Sequence, residues 1–78
     1  MESRELAQAI CDAAAEHMTL PGGVAMLWEV GEWEEAAAIA LATAADAGIE
    51  LPRHLVDEAA EKWLEQLQAP YVRRFYIT

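Results

Sequence analysis

Apolar residues recur three and four positions apart over most of the chain, and a glycine or proline marks each place where the rhythm stops. Leu6, Ile10, Ala13 and His17 form the first such stripe. It predicts a helix from a Ser3 cap to about Met18, with Glu5 in its first turn and Glu2, Asp12 and Glu16 toward water. Thr19-Leu20-Pro21-Gly22-Gly23 breaks it. Either Leu20 leaves the helical region because a proline follows, or Thr19 caps a second helix with Pro21 in its first turn. The apolar run Val24, Met26, Leu27, Trp28, Val30 then predicts a short helix over residues 21–30.

Gly31 separates this run from a long alanine-rich one, and glycine takes a positive φ without the Cβ clash other residues meet, so the chain should reverse there. A third helix follows from about Glu32 to Ala47, with Trp33, Ala36, Ala37, Ala40, Ala44 and Ala47 on one face. Ile39 falls on the side of Glu35 and Asp46, placed to meet a partner or the tail. Gly48 ends this helix, Ile49 folds back over its last turn, and Pro52 opens a fourth helix expected to reach about Gln68. Val56, Ala59, Ala60, Trp63 and Leu67 line the inner side of that helix, and Glu58, Glu61, Lys62 and Glu65 the outer. The predicted fold is all-α: one domain over residues 1–78, four helices packed as two hairpins, with residues 70–78 as an extended arm.

The arm has a different pattern. In YVRRFYIT, Tyr71, Arg73, Phe75 and Ile77 alternate with Val72, Arg74 and Tyr76, as in a strand. A lone strand leaves its backbone groups unpaired. It should therefore pair with the same segment of a second copy, add to a partner's sheet, or lie across the helices. Tyr71, Arg73, Arg74, Phe75 and Tyr76 are accordingly candidates for self-association or partner binding.

Composition adds that the core is small. Much of the apolar content is alanine, so three tryptophans, the other aromatics and a few aliphatic residues must supply most of the buried area of 78 residues. Charge adds more. The formal net charge is −9, and all fourteen acidic residues lie between Glu2 and Glu65. Such a body repels phosphate backbones, which argues against direct nucleic-acid binding and for a protein partner with a basic surface; the alternative reading is that the acid simply keeps a small alanine-rich helical protein soluble. The N-terminal stretch is charged and no apolar run is long enough for a membrane span, so a cytoplasmic location without membrane contact is expected.

Candidate chemistry is sparse. One cysteine, Cys11, and two histidines, His17 and His54, give neither a zinc-ligand set nor a nucleophile and base at readable spacing. His17 is expected to close the end of the first core stripe, and His54 has no assigned role. The Gly22-Gly23 pair follows no strand and precedes no lysine, unlike a phosphate loop. No enzymatic activity, cofactor or metal is expected. The acidic cluster Glu29, Glu32, Glu34 and Glu35 around Gly31 reads as solvated carboxylates at helix ends and as a candidate partner-binding site.

Residues 26–52 resemble the central region of the terminase small (endonuclease) subunits of temperate tailed phages. The matching features are Met26-Leu27-Trp28, the Gly31-Glu32 turn, Ala36-Ala37-Ala38-Ile39-Ala40 and Gly48-Ile49-Glu50-Leu51-Pro52. This resemblance implies a helical scaffold used in assembly, in a bacterial host and encoded by a phage or prophage. The basic regions through which that family would contact DNA are absent from this chain. The expected function is thus non-enzymatic protein–protein interaction. The competing expectation is an acidic inhibitor, of the phage anti-defence, anti-CRISPR or toxin-immunity type, that blocks a basic nucleic-acid-binding surface.

Overall fold

The computed structural model describes residues 1–63, which form four helices: α1 (Ser3–Ala15), α2 (Gly22–Glu29), α3 (Trp33–Asp46) and α4 (Arg53–Lys62). Among the described residues there is no strand, and the architecture is all-α as expected. The expected end of the fourth helix at Gln68, its inner residue Leu67, its outer residue Glu65 and the arm over 70–78 lie outside the described residues.

Both glycine corners form as the sequence predicts, and for the same reason. At the end of α3, Gly48 has φ +73°; its N–H donates to the Ala45 carbonyl (3.1 Å) and the Ile49 N–H reaches back to the Ala44 carbonyl (2.9 Å). At the end of α2, Gly31 has φ +83°, its N–H bonds Trp28 O (3.2 Å) and the Glu32 N–H bonds Leu27 O (2.8 Å). This paired bonding satisfies carbonyls that the helix end would otherwise leave unpaired, and it requires a left-handed residue. The corners are therefore fixed by backbone geometry.

α3 is the central helix. Ala36, Ala37, Ala38, Ala40, Leu41, Ala42 and Ala44 are all buried, and Ile39 is half-buried against the core. Ala47, expected on the inner face, is exposed. α1 packs on α3 with Leu6, Ala7, Ile10, Cys11 and Ala14 inward; α2 packs on α3 with Val24 buried, and α4 packs on α1. Side chains this small let helix backbones approach closely, and Leu6, Ile10 and Leu41 fill the core beside them. Trp63 is the largest fully buried side chain and Trp33 is half-buried against the core. Arg4 lies over the Trp33 ring at 5.8 Å from its centroid, closing the α1–α3 junction with a cation on an aromatic face.

Several boundaries differ from the sequence expectation. α1 starts one residue earlier than a Ser3 cap implies: Glu2 is the N-cap residue, without a side-chain cap bond, and its carbonyl accepts the Leu6 N–H at 2.9 Å. The helix stops at Ala15, because the His17 and Met18 N–H groups both turn onto the Ala14 carbonyl (3.0 and 3.1 Å). His17 is consequently exposed and does not close the core stripe. Pro21 and Pro52 are N-cap residues of α2 and α4, placed just before the first turn. On α4, Leu55 is buried and Ala60 exposed, the reverse of the expected inner face, because the helix turns Leu55, Ala59 and Trp63 inward.

Glu58 anchors the chain start to α4. Its carboxylate lies 3.4 Å from the Met1 amino group and 3.6 Å from Lys62 Nζ, the ion pair the i,i+4 spacing predicts, and Lys62 also donates to the Met1 carbonyl.

Candidate protein-interaction surface

The candidate surface is built on the Gly31 corner. The Gly31 hairpin turn carries the chain from the last turn of α2 into the first turn of α3, with Glu29 ending α2 and Glu32 serving as the N-cap residue of α3. Both carboxylates are exposed. Glu34 and Glu35, in the first turn of α3, are half-buried, where the unpaired N–H groups of a helix start favour negative charge. Gly31, Glu32, Trp33, Glu34 and Glu35 line one shallow hollow, so the structure brings three of the four sequence-predicted carboxylates to one place and puts Glu29 across the turn.

These carboxylates do not converge as ligands. Among the described residues, no three His, Cys, Asp or Glu side chains are grouped closely enough to hold a metal ion. The exposed pair Glu29 and Glu32, on either side of the turn, is open to water and to cations that another molecule brings. The corner is suited to recognising positive charge on a surface rather than to enclosing an ion.

α2 supplies a feature that the sequence reading did not separate. Its inward residues are Val24, with Leu27 and Trp28 half-buried against the core. The rest of its surface consists of Gly22, Gly23, Ala25, Met26 and Glu29, all exposed, followed by the C-cap residue Val30. Met26 is 68% and Val30 71% exposed, high values for large apolar side chains. Helical spacing places Gly22, Gly23, Met26 and Val30 on one continuous strip, with Glu29 along one edge. A signal for this was present in the sequence. A helix with one charged residue in eight cannot hide all its apolar groups when only one face meets a core.

The other titratable groups are dispersed. His17 and His54 are exposed on separate segments. Cys11 is buried, and burial pushes its thiol above the ordinary value of 9.0; the Trp28 indole N–H, 3.5 Å from the sulfur, partly counters this, while the nearby Asp12 charge adds to it. The thiol is held protonated at neutral pH, which makes it a poor nucleophile. A groove of about 570 Å³ runs between the end of α3 and the start of α4, with Leu41, Ile49, Leu51 and Val56 along it and Glu50 and Arg53 at its margin. The arm residues Tyr71, Arg73, Arg74, Phe75 and Tyr76 lie outside the described residues.

No helix among the described residues is long and apolar enough to cross a membrane. No family model, curated protein or solved structure matches the chain.

Proposed function

We propose that this chain is a non-enzymatic protein-interaction module that presents the acidic Gly31 corner to a basic surface of a protein partner, in the assembly role its resemblance to phage terminase small subunits implies. The observation that carries the reading is the exposure of Glu29 and Glu32 on either side of a turn locked by paired backbone hydrogen bonds. A backbone already fixed at the turn spares the cost of ordering it when a partner's cations arrive, and a body of formal charge −9 draws a basic partner from a distance. The setting is the cytoplasm of a bacterial host, with the gene carried by a phage or prophage.

A second reading keeps the same corner and changes its purpose. An inhibitor of the anti-defence, anti-CRISPR or toxin-immunity type would use the carboxylates in place of phosphates, inside a groove that normally takes nucleic acid. The excess of acid over base favours this reading too. The two are separated by solution mass with and without residues 70–78. An oligomer that depends on those residues supports assembly, and a monomer that ignores them supports inhibition.

The test of the shared claim is capture from nuclease-treated host extract by the wild-type chain and by the Glu29→Gln, Glu32→Gln, Glu34→Gln, Glu35→Gln variant. A protein held by the first at low salt, released at high salt and missed by the second is the expected result. A partner held equally by both chains at low salt rules the acidic corner out.

A further inference from the structure

α2 is covered on one side only. Of its eight residues only Val24 is buried, and Met26 and the adjoining Val30 stand out one turn apart. On the same strip, a Cβ built at Gly22 or Gly23 meets nothing within 4 Å, so the helix backbone itself is open there. The strip is therefore low at its start, where two glycines leave the backbone bare, and raised toward its end by two apolar side chains. A second helix laid along it would approach closely over Gly22 and Gly23 and cover Met26 and Val30 with its own aliphatic groups. One edge of the strip is acidic, through Glu29 on α2 and Glu32 just beyond the turn.

We propose that the outward strip of α2, comprising Gly22, Gly23, Met26 and Val30, docks an amphipathic α-helix of a partner protein whose aliphatic stripe is flanked on one side by lysine or arginine. This rests on the reading of a basic protein partner and states which element of that partner is held and where. Charge selects the occupant. A second copy of this chain would bring another body of formal charge −9 against Glu29 and Glu32, whereas a helix with cations along one flank pairs with them. The apolar pair holds the helix by burial, and the carboxylates orient it and exclude acidic helices.

The probe is a synthetic helical peptide with leucines at i, i+4 and i+7 and lysines and arginines along one flank, added to the isotopically labelled full chain. Two controls are a scrambled peptide of the same composition and a peptide with glutamates replacing the basic residues. Amide shifts should move over residues 22–32 with the first peptide only. Met26→Ser with Val30→Ser should weaken binding about tenfold or more, the loss expected when two partly buried apolar side chains become polar. Gly23→Gln should weaken it similarly by standing in the approach, without loss of thermal stability, because the side chain projects into open space. The latter variant separates blocked docking from misfolding.

The claim about the strip is overturned if the peptide does not bind, if the scrambled peptide binds equally, or if Met26→Ser with Val30→Ser leaves affinity unchanged. A dimer of the free chain that these two substitutions dissolve also overturns it, since the strip would then belong to a second copy. Glu29→Gln with Glu32→Gln tests the underlying reading separately. Unchanged low-salt affinity in that variant removes the basic-partner reading even if the apolar substitutions abolish binding. Loss of affinity in that variant, with none from the apolar pair, leaves that reading standing and removes the strip.

Discussion

The indole N–H of Trp28 donates to the sulfur of Cys11 across 3.5 Å, joining α2 to α1, two helices that both pack on α3. The contact places a titratable atom in a nearly dry position and a polar handle beside it. Its consequence is a dependence of stability on alkaline pH. The folded thiol titrates above its ordinary value of 9.0, so in alkali the unfolded chain gives up its proton first. The stabilising contribution is full below the unfolded value and is lost as pH rises through the folded one. Wild type should therefore lose stability relative to Cys11→Ala above pH about 9, measured as the urea midpoint against pH. Parallel curves for the two proteins would contradict it.

Trp28→Phe extends the same argument. The hydrogen bond to sulfur stabilises the thiolate, so removing it should push the thiol higher still and slow its modification by a disulfide reagent at each alkaline pH. Faster modification, with the fold intact by circular dichroism, would show that Trp28 acts by shielding alone.

Glycine substitutions should divide by backbone conformation. Gly31 and Gly48 hold φ +83° and +73°, where a Cβ costs roughly 1–2 kcal/mol, so alanine at either should lower the melting temperature. For a domain of this size a loss of about 1 kcal/mol corresponds to roughly 4–8 °C. Gly23→Ala should move the other way, by about 0.5–1 kcal/mol, because Gly23 is inside α2 and its new methyl meets nothing. Thermal scans of the three variants give the signs directly.

Trp63 should respond very differently to phenylalanine and to alanine. It is 2% exposed, and its indole N–H has no hydrogen-bond partner among the described residues. Trp63→Ala opens a large cavity, and about 3–5 kcal/mol is the usual cost of losing such a ring. Trp63→Phe keeps much of the ring volume and removes a donor that is buried without a bond, so its cost should be well below that of alanine. Equal loss in both variants, by chemical denaturation, would mean that the indole N–H is satisfied in solution.

The parts of the fold legible in the sequence are those decided by neighbours in the chain. Gly31, Gly48 and Pro52 each act through their own backbone, and the turns form where they stand. The burial of Ala36, Ala37, Ala40 and Ala44 was also readable, since small residues at helical spacing serve best against other helices, whereas the burial of Ala38 and Ala42 and the exposure of Ala47 were not. What could not be read was decided by packing partners. In α1, two stripes share Leu6 and Ile10, and only the positions of α3 and α4 select Cys11 and Ala14 over Ala13 and His17. The same holds for Leu55 against Ala60 on α4, where the direction of docking on α1 chooses the buried side. The acidic corner was visible as a charge cluster; for the strip beside it, one charged residue in eight signals that some apolar group of α2 stays bare, but only the docking of α2 decides that it is Met26 and Val30.

The alanine floor of α3 reverses the usual order of replaceability. In most small proteins the bulky interior groups are the ones that resist change, yet here the methyl groups of the buried Ala36, Ala37 and Ala40 act as shims that set how near the neighbouring helices α1 and α2 can lie. Enlarging any of them by even one carbon would wedge the neighbouring backbone outward, typically costing about 1–3 kcal/mol. Drift over generations should accordingly be slowest at these plain residues and quickest along the outer carboxylates, except where a partner holds them.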